Sequence, residues 1–169
     1  MKLPKLFYKI FTSGVLGIAI FLLFGTVTAN AACISADFAG GDGTQSDPWQ
    51  ITTPAELANV GTCNGITHSS KYFILNNDID LDVAPYNTGV GWVPIGVTNS
   101  TANAFYGKFN GDYNTISNLF INRPTTGAQG LFGVTKPNSI IENIVIENIN
   151  VTGGWLRRGW LGRTYRRNN

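Results

Sequence analysis

From residue 72 the chain alternates between apolar and polar positions. Phe73, Leu75, Asn77, Ile79 and Leu81 share one side of an extended segment; Ile74, Asn76, Asp78, Asp80 and Asp82 share the other. One face is therefore apolar and the other carries three carboxylates. Earlier in the chain, Trp49-Gln50-Ile51 follows the Asp47-Pro48 turn as a short strand. Thr53-Pro54-Ala55-Glu56 then predicts a helix start, with Thr53 as the cap, Pro54 at the first helical position and Glu56 closing a capping box. Leu57 and Val60 face inward and the helix stops near Gly61; it is expected to be the only helix beyond the leader. A loop-rich stretch with Gly89, Gly91 and Pro94 follows, anchored by Trp92 and Ile95. Residues 105–109 predict another strand, ending in an Asn110-Gly111 turn.

Next, a pattern repeats. Ile116-Ser-Asn118-Leu119-Phe-Ile121 matches Ile141-Glu-Asn143-Ile144-Val-Ile146, 25 residues later, and the second copy overlaps a third, Ile146-Glu-Asn148-Ile149-Asn-Val151. The apolar spacing is three and then two. In one straight strand, a spacing of three puts residues on opposite faces. All can point inward only if the chain bends at the Asn, which tolerates the left-handed region and bonds its own backbone. Asn118, Asn143 and Asn148 are therefore the expected corners, with Asn118 and Asn143 stacked in register as a ladder. A corner-and-strand unit of about 25 residues is the signature of a β-solenoid. The competing architecture is a β-sandwich with Asn in ordinary turns.

The string Gly40-Gly-Asp-Gly-Thr44, Pro48-Trp-Gln-Ile51 and Thr53 to Leu57 resembles the opening of bacterial surface β-helix proteins that carry the GLUG motif. Asn77-Asp-Ile-Asp-Leu81, Pro94-Ile-Gly96, Phe105-Tyr-Gly-Lys-Phe-Asn-Gly111, Ile116 to Ile121 and Gly130-Leu-Phe-Gly133 continue the likeness in order, over 38–154. The resemblance implies an all-β chain folded as a right-handed parallel β-helix, secreted or surface-attached, of the kind found within longer adhesin-like repeat proteins. It implies no agreed catalytic site, so no functional residues follow from it.

Composition agrees with an all-β, turn-rich chain. Of 169 residues 20 are Gly, charged residues are only 13%, and Met occurs once. A coiled coil or helical bundle is excluded, as is disorder throughout. The charge is uneven. Lys2, Lys5 and Lys9 open the chain, and five arginines (157, 158, 163, 166 and 167) close it. Between them lie Lys71, Lys108, Arg123 and Lys136 against all ten acids, a formal charge of −6. That middle argues against nucleic acid as a partner.

The basic start, the apolar run over 10–27 and Ala29-Asn30-Ala31 read as a signal peptide over 1–31, cleaved after Ala31; an uncleaved membrane anchor is the competitor. Membrane contact is expected only through this leader. Export makes the two cysteines, Cys33 and Cys63, an expected disulfide, contributing about 3.5 kcal/mol for a loop of about 30 residues, with a pair of buried free thiols as the alternative. Residues 32–71 are then an N-terminal cap holding the one helix, 72–154 the solenoid turns, and 155–169 an atypical Arg/Trp-rich tail. That tail abandons the solenoid pattern. Shifting the frame near codon 154 can restore a Gly-Leu/Val-Val-Gly stretch like 130–133. The expectation is a longer repeat protein truncated by a one-base slip, its tail disordered or loosely packed over the last turn.

Asp78, Asp80 and Asp82 are the candidates for a Ca²⁺ site, since neighbouring carboxylates repel unless a cation joins them; a solvated acidic face is the alternative. No other metal or cofactor is expected, because His68 is the only histidine and no zinc-type spacing exists. Glu142 and Glu147 point outward, as charges that keep a solenoid soluble or as a glycosidase pair. Tyr72, Trp92 and Tyr106 are candidates for stacking on sugars. The function expected is a non-enzymatic structural or adhesive module, with surface glycans, host or neighbour-cell proteins, and further repeats of the same chain as partners. The alternative is a carbohydrate-active β-helix enzyme.

Overall fold

The computed structural model describes residues 35–63, 71–97 and 104–154. Three-residue to four-residue strands dominate, as expected where every few residues an Asn, Asp or Gly turns the chain. They are β1 (Trp49–Ile51), β2 (Tyr72–Leu75), β3 (Ile79–Asp80), β4 (Lys108–Asn110), β5 (Thr115–Ser117), β6 (Phe120–Arg123), β7 (Ile140–Glu142), β8 (Val145–Glu147) and β9 (Asn150–Gly153), β3 being the shortest. One α-helix, α1 (Pro54–Thr62), and a 3₁₀ turn at Ser35–Asp37 are the helices among the described residues. The capping box at Thr53 and Glu56 is formed, and Leu57 and Val60 are buried. No helix among the described residues is long and apolar enough to cross a membrane.

All strands pair in parallel, in three sheets: β1-β2-β4-β7, β3-β5-β8 and β6-β9. Strands β4, β5, β6 and then β7, β8, β9 visit the three sheets in the same order, each pairing with its counterpart, while β2 and β3 precede them in the first two sheets and β1 in the first. Inward positions form columns along the stack. Trp49, Phe73, Phe109 and Ile141 make one; Ile79, Ile116 and Ile146 a second; Ile121 and Val151 a third. Trp92, Ile95, Phe105, Leu131 and Phe132 enter the same core from the connections. Ring contacts run through it, from Phe38 stacked on Trp49 at 5.1 Å to Phe109 edge-on to Phe132 at 5.2 Å. Burial is complete in the middle passes, where Phe109, Ile116, Leu119 and Ile121 are all at 0% exposure.

Four expectations are corrected. The alternation over 72–82 is not one strand: it breaks at 76–78 between β2 and β3, where Asn77 turns out to solvent, while Phe73, Leu75, Ile79 and Leu81 are buried on either side. The strand expected over 105–109 lies at Lys108–Asn110, and Phe105 makes only an isolated bridge to Thr135. Strand β1, assigned by sequence to the cap, is a member of the first sheet. The register also differs. Ile116 pairs with Ile146 and Ile121 with Val151, so Asn118 lies over Asn148, 30 positions on, and not over Asn143. The physical reason is that Asn143 closes a different corner, between the first and second sheets, whereas Asn118 and Asn148 turn the chain from the second sheet to the third.

Candidate functional site

The corners carry most of the polar chemistry. Asn118, Asn143 and Asn148 have φ of 60°, 53° and 52°, the left-handed region that Asn enters more readily than other side-chain-bearing residues. Their neighbours can then point inward on both sides of the bend. Side chains at the corners bond across passes. Asn143 Nδ2 donates to Asn110 Oδ1 at 3.1 Å, Asn114 Nδ2 to the Leu75 carbonyl at 3.0 Å, and Asn77 Nδ2 to the Thr52 carbonyl at 3.0 Å. Asn76 Nδ2 donates to Gln50 Oε1 at 2.9 Å. Four consecutive passes are tied at one corner in this way.

The acidic row takes part in the same network. Asp78 Oδ1 accepts from the Thr115 N–H at 2.7 Å, and Asp80 Oδ1 from Asn118 Nδ2 and the Asp82 N–H, both at 2.8 Å. Asp82 Oδ1 accepts from Asn87 Nδ2 at 3.1 Å. The Asn118 amide, and after it the Asp82 N–H, hold the Asp80 carboxyl below its ordinary value. The Thr44 hydroxyl and N–H do the same for Asp42. Asp78, Asp80 and Asp82 are all exposed, and each faces its own hydrogen-bond donor; no group of three metal-ligating side chains is gathered among the described residues. Amide donors thus face each of the three carboxylates. Glu142 and Glu147 are exposed on the last pass.

A second feature lies on the outer face of the first sheet. Tyr72, Lys108 and Ile140 are stacked there in one column, and Ile74, Asn110 and Glu142 in the next. Together with Gln45 and Pro48 they line a shallow depression of about 340 Å³. It offers one aromatic ring, an ammonium, two amides and a carboxylate. The Tyr72 hydroxyl reaches towards Gln45 Oε1 at 3.5 Å, and Lys108 Nζ donates to the Asn138 carbonyl. Of the other sugar-stacking candidates, Tyr106 is half-buried. Trp92 is wholly buried, its indole N–H donating to the Leu131 carbonyl at 3.2 Å, and is unavailable to a ligand.

Cys63 is buried directly after α1 and no cysteine among the described residues is free; Cys33 lies outside them. The signal peptide with its cleavage position Ala31, His68 and the tail over 155–169 also lie outside the described residues. Sequence reading missed Asn76, Asn77, Asn110 and Asn114 as bonds between passes. Their signal was the clustering of Asn, Asp and Gly at 76–78 and 110–114. The columns around Tyr72 had no such signal, since they exist only once the register is known.

No protein-family model matches the chain, and no solved structure matches it. Two relatives do. A protein of Evansella cellulosilytica, provisionally named a Gly-rich membrane protein, is 38% identical over 125 residues, covering 74% of this chain and 14% of that protein. Halomucin of Haloquadratum walsbyi is 35% identical over 107 residues, covering 62% of this chain and 1% of halomucin. The chain is therefore similar to small parts of two much longer proteins, and spans about a seventh of the first and a hundredth of the second.

Proposed function

We propose that this protein is a non-enzymatic structural or adhesive module, exported and displayed at the cell surface. In this reading it is a right-handed β-solenoid of the GLUG-bearing surface type. The observation that carries the reading is how the polar corners are used. Their carboxylates and amides bond one pass of chain to the next, which builds a stiff extended surface and leaves no convergent set of reactive groups among the described residues. The relatives support it: one is named as a membrane protein, and both are long enough to hold many such units. The contact surface is the outer face of the first sheet, where Tyr72 offers a ring for a sugar and Lys108, Asn110 and Glu142 offer polar contacts around it. Partners in this reading are surface glycans or neighbouring-cell proteins.

Retention on immobilised polysaccharides and on fixed cells tests this. The chain is expected to be retained without degrading the polysaccharide, and Tyr72→Ala with Lys108→Ala is expected to abolish retention at unchanged melting temperature. Depolymerisation that disappears in Glu142→Gln or Asp80→Asn would replace the proposal with a carbohydrate-active enzyme.

A further inference from the structure

Asn110-Gly111 marks the turn after β4, and the same dipeptide carries a reaction. The Gly111 nitrogen, unhindered by a side chain, can attack Asn110 Cγ. The bond from Cγ to Gly111 N forms, the bond from Cγ to Nδ2 breaks, the Gly111 N–H gives up its proton and ammonia leaves. Water then opens the cyclic imide at either carbonyl, giving aspartate or isoaspartate. Water is the only other reactant.

The fold blocks each part of that step. Asn110 is the last residue of β4 and lies opposite Glu142 of β7. Gly111 is buried, and its N–H donates to the Glu142 carbonyl at 2.9 Å, so the attacking nitrogen is held by the next pass. The Asn110 side chain is held as well: its Oδ1 accepts from Asn143 Nδ2 at 3.1 Å and from the Asp112 N–H at 2.9 Å. Glycine is itself required at 111 by the same pass. A Cβ there would sit 2.4 Å from the Asn143 carbonyl oxygen and 2.8 Å from Ile144 Cα. The packing that demands the reactive dipeptide is thus the packing that keeps it silent. Apart from the Asp112 bond, each of these contacts comes from the chain at 142–144.

We propose that Asn110-Gly111 is a self-modification site gated by β7, closed while β7 lies on β4 and open when that pass lifts. Both products oppose its return. Aspartate at 110 sets a second carboxylate directly opposite Glu142. Isoaspartate puts an extra backbone carbon between positions 110 and 111. The strand then cannot keep position 110 opposite Glu142 with the Gly111 N–H on the Glu142 carbonyl. A fraction of openings therefore ends in a one-way change, and the site records how often the pass has lifted. The inference does not rest on the adhesive reading above.

The test incubates the full chain at mildly alkaline pH and follows Asn110 by peptide mapping, which reads a gain of about one mass unit and separates aspartate from isoaspartate. Asn64-Gly65, outside the described residues, is the same dipeptide and gives the reference rate in full denaturant. There the two sites are expected to convert at comparable rates. In native buffer Asn110 is expected to convert about tenfold or more slowly than in denaturant, since conversion follows the open fraction. Denaturant below the unfolding midpoint is expected to raise the Asn110 rate ahead of global unfolding. Ile141→Ala, which thins the packing of β7 in the column of Phe109, is expected to raise it severalfold in native buffer. Should that variant not fold, the denaturant series on the parent carries the test. Conversion in native buffer at the denatured rate, no conversion in denaturant, a rate that rises only with global unfolding, or a folded Ile141→Ala at the parent rate would each overturn the proposal.

Discussion

Leu119 and Ile149 fill the same place in the pattern one pass apart, and truncating each to Ala separates enclosed from open core. Leu119 is at 0% exposure beneath a further pass; Ile149, on the last pass among the described residues, is 41% exposed. Both substitutions delete three carbons. At about 0.8 kcal/mol per buried carbon, the transfer contribution at Leu119 is about 2.4 kcal/mol. The enclosed cavity adds to this, so Leu119→Ala is expected to cost about 3–4 kcal/mol. At Ile149 a little over half of the transfer contribution applies and no sealed cavity forms, giving about 1–1.5 kcal/mol. Urea unfolding in dilute protein, at equal m-values, reads the difference as a midpoint shift. Equal costs at the two positions would refute the stacking register.

Gly91 has φ +69°, and a Cβ there would sit 2.2 Å from the Phe120 carbonyl oxygen, whereas Gly89 has φ +62° and nothing within 4 Å. Gly89→Ala should cost about 1 kcal/mol and Gly91→Ala at least about 2 kcal/mol more, read from thermal melts, because backbone must move. The Asp80 carboxyl is depressed below 3.8 in the folded state, so its stabilisation is present above that value and is lost as pH falls through the lower folded value. An acid titration of stability should therefore be shallower below about pH 3.8 in Asp80→Asn than in the parent; an unchanged acid limb would remove Asp80 from the account. Exported protein should be two mass units lighter before reduction, from a Cys33–Cys63 bond, and Cys63→Ala should cost about 3.5 kcal/mol or more. Two alkylatable thiols in native protein would count against the bond.

The start of the helix was legible to the residue because its signals are local: a cap, a proline and a glutamate within four positions. The inward faces were legible because apolar residues at Phe73, Leu75, Ile79, Leu81, Ile116, Leu119 and Ile121 had no polar alternative. Register was not. The unit apolar-x-Asn-apolar-x-apolar occurs at 141–146 and again at 146–151, so 116–121 fits either copy equally well. The choice is made by Phe109, whose place above Ile141 fixes where the following corner falls. The acidic row was legible as a face but not as a set of acceptors, since its donors Asn118, Thr115 and Asn87 are 5 to 38 positions away. The depression around Tyr72 was invisible for the same reason: its columns come from three passes of chain.

Ladders that bond each pass only to its neighbours also decide how the molecule answers to force. A pull on the chain beyond β9 loads the ladder bonds a few at a time, so β9, β8 and β7 peel in succession while the stack beneath them stays whole. From Phe109 to Ile141 the chain travels 32 positions yet advances by a single strand spacing. One peeled pass therefore releases about 110 Å of contour at roughly 3.5 Å per residue. Such a stack is expected to lengthen in steps of about that size under a pull from beyond β9, as a spooled tether does, with the strand under Phe38 the last to give way.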